Sequence, residues 1–370
     1  MSRRILITGG AGFIGRHVAE TMLRRGHEVR ILDNFHEQVH GPEPEPAPVL
    51  RECEVLDADI RDPDAVGRAI EGVDWVAHLA AEVGVGQSMY EIDRYTGVNE
   101  YGTAVLFQKL IEQPVERVVT ASSMSIYGEG LYRAPDGTLV EDARRRAGDI
   151  NGQWDPVDDE GRPLEPAPTP ETKRPSLSSV YALNKYAQEQ MTLISAPAYG
   201  MEAVCLRLFN VFGPGQALSN PYTGVLAIFA SRVLNGQAPM VFEDGNQRRD
   251  FVHVTDVAEA FALAFEVGEA SGETINVGSG QDISIAEVGN RLLRTMGRDD
   301  LAPEITGKFR AGDIRHCFAD ISKAREVLGF APLRGFDEAL SELTEWLAQQ
   351  KADDRVAEAR RELEARGLVS

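Results

Sequence analysis

Cysteine is scarce in this chain. Cys53, Cys205 and Cys317 lie far apart with no C-x-x-C spacing, which argues against a zinc knuckle or a disulfide framework and fits reduced thiols in the cytoplasm. Basic residues are in deficit too: 38 Lys and Arg stand against 58 Asp and Glu, a formal net charge of -20. A surface so acidic repels nucleic acid and anionic membranes alike. Any phosphate-bearing ligand must then be held locally, by a few arginines and helix N-termini. Long apolar runs are missing as well. The run that begins at Ile5 stops at Thr8-Gly9-Gly10, so neither a signal peptide nor a membrane span is expected.

What is present is 370 residues, 43% of them hydrophobic, enough to bury a large core in two lobes or one large α/β domain. Arg4 to Ile7 reads as a short apolar strand. It runs into Thr8-Gly9-Gly10-Ala11-Gly12-Phe13-Ile14-Gly15 and then a helical pattern through Val18, Met22 and Leu23. Glycines at 9, 12 and 15 permit a tight turn, close approach to a pyrophosphate and close helix packing, while the helix N-terminus offers free N–H groups. The next strand, Glu28 to Leu32, ends at Asp33, placed to accept hydrogen bonds from adenosine ribose hydroxyls. No Lys or Arg occurs in Asn34-Phe35-His36-Glu37-Gln38, so NAD rather than NADP is the expected cofactor.

Further strands, Asp74 to Leu79 and Glu116 to Ala121, alternate with helices, one of them Tyr95 to Ile111. That alternation predicts a doubly wound parallel sheet, a Rossmann domain. Asp59, with Ile60, is a candidate for the adenine amine or a helix cap, and Leu79, Ala80 and Ala81 are small or apolar enough to lie along a cofactor. Between Gly128 and Ser178 comes a long polar stretch rich in Pro, Asp, Glu and Gly, either a lid with partial order over the site or a decorated surface loop. The expected division is a cofactor domain at 1–206 with an insertion at 129–177, a smaller C-terminal substrate-binding lobe at 207–335, and C-terminal helices at 336–370. The last helix, Asp353 to Arg366, is highly charged and reads most simply as an exposed packing or oligomer helix.

Tyr181 and Lys185 are four apart in a proline-free helical run. On one helix face, an ammonium there lowers the phenol pKa and leaves Tyr181 usable as a base near neutral pH.

Taken in order, these motifs resemble the extended short-chain dehydrogenase/reductase family, in the branch acting on nucleotide sugars. The resemblance rests on Gly9 to Gly15, Asp33, Ser122-Ser123 to Tyr127-Gly128, Tyr181 with Lys185, Arg207 to Pro214, Arg249 to Val254, and Asn276-Val277-Gly278. It implies Ser123 as the catalytic hydroxyl, Tyr181 as the acid/base and Lys185 as its partner at the nicotinamide ribose. Asn99 joins the cofactor site. Asn210, Arg249 and Arg310 are implied at the substrate diphosphate and Asp313 at the sugar-nucleotide ribose, with Val83, Ser125 and Val225 completing the substrate site. A homodimer through the helices of Asn99 and Tyr181 is implied as well.

Dehydratases of this branch carry Asp-Glu directly after the catalytic hydroxyl, and decarboxylases Ser-Glu; here the positions hold Met124 and Ser125. Without a carboxyl group there, elimination lacks its catalyst. What remains is oxidation at C4 and return of the hydride, a 4-epimerisation with retained NAD. The stretches Gly84 to Ile92 and Leu218 to Gly224 resemble the subgroup acting on dTDP-L-rhamnose, and the expected substrate is a dTDP- or UDP-linked sugar. Val83, Val85 and Met124 suit a C6 methyl or ordinary core packing. A nucleotide-sugar reductase or dehydrogenase, and a non-catalytic NAD-binding protein, are the alternatives.

Overall fold

The computed structural model describes residues 2–41, 47–145, 153–218, 220, 222, 224–309, 313–350 and 356–369, without the side chains of 356–360. Seven parallel strands form the central sheet: β1 (Arg4–Thr8), β2 (Glu28–Asp33), β3 (Glu54–Asp57), β4 (Trp75–His78), β5 (Arg117–Ser123), β6 (Glu202–Leu208) and β7 (Thr274–Val277). Their order across the sheet is β7-β6-β5-β4-β1-β2-β3, a Rossmann-type winding that reverses beside β1. Short runs of β-branched residues suit strands buried on both faces. Ile5 and Ile7 face a core with α1 (Phe13–Arg24) and the helix Val254–Glu266, whereas Leu6, between them, faces the core of Pro63–Ile70 and α2 (Gly102–Glu112). The period of two along β1 thus builds both layers.

The helix expected over Tyr95 to Ile111 is interrupted. Ile92–Thr96 passes into a π-helical turn at Gly97–Tyr101 before α2 begins. A third helix, α3 (Val180–Ala198), starts where the Ser179 hydroxyl accepts the Ala182 N–H at 3.1 Å. The smaller lobe packs Phe212, Phe229, Phe251, Leu292 and Leu340 into a core of its own, while β7 returns to the edge of the large sheet.

The insertion is not a lid in its described parts: it is a surface segment ordered by a small sheet of its own. Leu131–Arg133, Leu139–Val140 and Glu165–Ala167 pair as an antiparallel sheet. Gly130 N–H donates to His316 O and Thr169 N–H to Phe318 O, both at 2.8 Å, so backbone bonds fasten it to the smaller lobe. None of its described residues lines the main cleft. Residues 146–152 lie outside the described residues.

Candidate active site

The C-terminal ends of β1, β2, β4, β5 and β6 open into one cleft of about 370 Å³, the place where open parallel sheets bind ligands. At its floor the glycines divide their work. A Cβ on Gly15 would stand 2.4 Å from Gly9 O, and one on Gly9 2.9 Å from the Ala80 backbone, so Gly15 lets the helix close on the turn and Gly9 lets the turn close on the segment after β4. A Cβ on Gly12 meets only Gly9 O, at 3.3 Å; there the backbone faces the cleft at the start of α1, as a pyrophosphate requires. Phe13 and Ile14 line the same floor.

Asp33 also lines the cleft and is buried. Its carboxylate accepts Ala11 N–H and Phe35 N–H, each at 3.0 Å, with His40 Nε2 at 3.4 Å. Those bonds fix the carboxylate and leave lone pairs for ribose hydroxyls. Asn34, Ile60, Leu79, Ala80 and Ala81 line the cleft as well. Asp59 does not. Its carboxylate is taken by Arg61 at 2.9 and 2.7 Å and by Asn34 at 3.3 Å, and the cap of the following helix is Asp62. Asn99 also stands behind the wall: buried in the π-helical turn, it exchanges two hydrogen bonds with the backbone of Glu82.

Ser123, Tyr181 and Lys185 meet in the cleft. Burial raises the Tyr181 phenol above its ordinary pKa, and a hydrogen bond with the Ser123 hydroxyl opposes that rise. The expected help from Lys185 is not present in this arrangement. Its ammonium donates to Gln188 Oε1 at 2.6 Å, and burial lowers it to about 7. Gln188 continues inward, its Nε2 lying 2.8 Å from Thr103 Oγ1 and 3.1 Å from His78 Nε2, while His78 Nδ1 meets Thr8 Oγ1 at 2.8 Å. Helix spacing carries the signal for Gln188, seven residues from Tyr181 on the same face; for His78, no pattern in the chain marks it.

On the substrate side, Val83, Asn210 and Val225 line the cleft. Ser125, Arg249 and Asp313 do not. Ser125 is buried within the turn capped by Ser123, its N–H donating to Ser123 Oγ at 3.2 Å. Arg249 spends its guanidinium on the carbonyls of Arg248 and Arg315, both at 2.9 Å, and of Ile314, with Asp313 Oδ1 at 3.7 Å. It therefore holds Asp313 and the strand after it in place. Arg310 lies outside the described residues. Met124 is a buried core residue, not a cleft residue. Nor is the last helix, α4 (Val356–Ala365), free: the Leu363 side chain packs on Gly86, the Arg366 guanidinium sits 4.3 Å from the Tyr90 ring centroid, and Glu364 pairs with Lys308 at 2.9 Å.

A sequence profile of the NAD dependent epimerase/dehydratase family matches residues 5–149 and 155–278. The chain belongs to that family. It is 34% identical over 353 residues to a dTDP-L-rhamnose 4-epimerase of Burkholderia thailandensis, covering 94% of this chain and 96% of the relative. Among solved structures it resembles the UDP-glucose 4-epimerase of Thermotoga maritima with UDP-glucose (TM-score 0.76, 30% identity, 94% and 99% covered). That of Thermus thermophilus in complex with NAD is similar (TM-score 0.74, 31% identity, 94% and 99% covered).

NAD is the cofactor of this epimerase family, and the glycine floor and the fixed Asp33 fit it. Other family motifs prove to be scaffold. Arg207 bonds Glu189 through two nitrogens at 3.0 and 2.7 Å and the Tyr127 hydroxyl at 2.9 Å, and Tyr127 donates to Asn276 Oδ1 at 2.7 Å. This buried, fully bonded ion pair ties α3 to β6 and β7. Asp250 does the same for the smaller lobe, accepting from Ser279, Gly280 and Ala319. Among the described residues no helix is long and apolar enough to cross a membrane.

Proposed function

We propose that this epimerase inverts C4 of a nucleotide sugar, with a dTDP-linked 6-deoxyhexose such as dTDP-L-rhamnose as the substrate. NAD, when bound, supplies the acceptor and donor of the C4 hydride. The chain supplies the proton chemistry: Tyr181 takes the proton of the C4 hydroxyl and returns it, Ser123 steadies the phenol, and Lys185, lining the cleft beside them, is the partner at the nicotinamide ribose. The 4-keto sugar turns about its diphosphate linkage between the two steps.

One observation carries this reading: Tyr181 acts without a carboxylate beside it. The cleft-lining carboxylates among the described residues are Asp33, held by Ala11 and Phe35 N–H, and Glu82, paired with Arg94 at 3.3 Å. Nothing there serves to deprotonate C5 and expel the C6 hydroxyl. The curated relative at 34% identity supports the sugar, and Val83, exposed in the cleft wall, suits its C6 methyl.

The test is incubation with dTDP-L-rhamnose and with UDP-glucose, followed by NMR of the sugar ring. The C4 epimer is expected from the dTDP sugar without added cofactor. Stoichiometric formation of NADH instead overturns the assignment in favour of a dehydrogenase.

The chain also acts as a homodimer in this reading. Tyr101 on the π-helical turn, and Leu183 and Ile194 on α3, are 55%, 48% and 68% exposed, an apolar face that a second copy would cover. Sedimentation equilibrium of Ile194→Glu should then give a monomer; a wild-type monomer would sink the idea. The three free thiols fit a cytoplasmic location.

A further inference from the structure

Three segments that flank the cleft are bonded to one another by side-chain amides. Gln38 lies on Glu37–His40, the short helix after Asp33; Gln87 lies on Val85–Ser88; Asn220 belongs to the smaller lobe. Gln38 Nε2 donates to Gln87 Oε1 at 2.9 Å and Gln87 Nε2 returns the bond to Gln38 Oε1 at 3.1 Å. Gln38 Nε2 also reaches Asn220 Oδ1 at 3.3 Å. Val39, His40, Val83 and Asn220 line the cofactor cleft beside this cluster, so the bonds tie together three segments that contribute to the cleft wall.

The orientation of each amide is dictated by a neighbour that has one role only. Glu91 can only accept, and it takes a hydrogen from Gln87 Nε2 at 3.0 Å. Arg94 can only donate, and it bonds Gln38 Oε1 at 3.2 Å. The Tyr222 N–H donates to Asn220 Oδ1 at 3.0 Å, and the Tyr95 hydroxyl to Gln87 Oε1 at 3.2 Å. With Glu91 and Arg94 paired at 2.8 Å, the amides are held ready for one another before any ligand arrives.

The geometry points to a cofactor latch: Gln38, Gln87 and Asn220 close over the dinucleotide cleft and keep NAD on the chain between turnovers. The inference rests on the epimerase reading, in which the same NAD must survive both half-reactions. A cofactor that left after the first would strand a 4-keto sugar. The amides are positioning residues. They touch each other rather than the reacting atoms, and opening them frees the path out of the cleft without altering Asp33 or the glycine floor.

The test is NAD retention, read apart from epimerase activity. Wild type, Gln38→Leu and Asn220→Ala are purified without added cofactor, the NAD per chain is measured after denaturation, and its release is followed on dilution. The wild type should hold NAD through purification. Each variant should release it about tenfold faster, the factor given by a loss of about 1.4 kcal/mol, and regain activity on added NAD. Thermal unfolding shows whether the variants are folded, and Gln38, half-exposed, tolerates leucine more readily than buried Gln87. Wild-type release rates in both folded variants overturn the latch, as does a wild type that loses NAD on gel filtration. A chain that retains NAD through the latch yet interconverts no C4 epimers overturns the function and leaves the latch standing.

Discussion

Lys185 Nζ donates to Gln188 Oε1 at 2.6 Å, three residues further along the same helix. A buried ammonium with a neutral acceptor has lost its water and gained no carboxylate, which is why burial brings Lys185 down to about 7. Unfolded lysine titrates near about 10.4. Between the two values the unfolded chain holds a proton that the folded chain has released, so this residue makes stability rise with pH across that window, and below about pH 7 the full cost of the buried charge is present. The gap is worth roughly 5 kcal/mol. Lys185→Met removes it. Its stability relative to wild type should therefore be greater near pH 6 than near pH 10 by a few kcal/mol, measured as denaturant unfolding at both. Parallel curves would mean that no buried cation exists there.

Tyr181→Phe tests the acid/base role. The ring is retained and the hydroxyl that bonds Ser123 is lost, so kcat for C4 inversion should fall by about 10² to 10⁴. The NAD content of the purified variant should match wild type, since the glycine floor and Asp33 are untouched. A variant with kcat within a few-fold of wild type would remove Tyr181 from the reaction.

The sheet was legible because its signals are local. Apolar runs such as Ile5 to Ile7, punctuated by Gly9, Gly12 and Gly15, carry their own geometry, and the strands Glu28–Asp33, Trp75–His78 and Arg117–Ser123 lie within a residue or two of the ranges expected. Ser123, Tyr181 and Lys185 were legible through spacing and order. Arg249 and Asp59 show where that reasoning stops. Residue type alone says that an arginine is able to meet a phosphate and an aspartate an amine. Whether the group is free depends on partners far along the chain, such as the Ile314 and Arg315 carbonyls, or on a near neighbour such as Arg61. The docking of the insertion was hidden for a related reason: its anchors, among them Glu129 and Arg315, are charged, and charge in a polar stretch reads as solvent-exposed.

Arg315 makes that last point measurable. Its side chain is 0% exposed, and its guanidinium bonds Asp155 of the insertion at 2.7 Å, Glu243 at 2.9 Å and Asp244 at 2.6 and 3.0 Å. Glu243, itself 1% exposed, also pairs with Arg145 of the insertion. The cluster gains its stability from being complete: Arg315→Met leaves the buried Glu243 carboxylate with Arg145 alone and takes the guanidinium from the partly exposed Asp155 and Asp244, which costs about 3 kcal/mol. Adding Glu243→Gln removes the most buried of those charges, so the double variant should recover part of the loss, a coupling of about 1 to 3 kcal/mol in a double-mutant cycle. The insertion should also become more sensitive to protease in Arg315→Met than in wild type, because Asp155 loses its anchor. Denaturant unfolding of the four proteins decides it. Additive losses would show that the two side chains do not share one network, and the insertion would then owe its place to the backbone bonds of Gly130 and Thr169 alone.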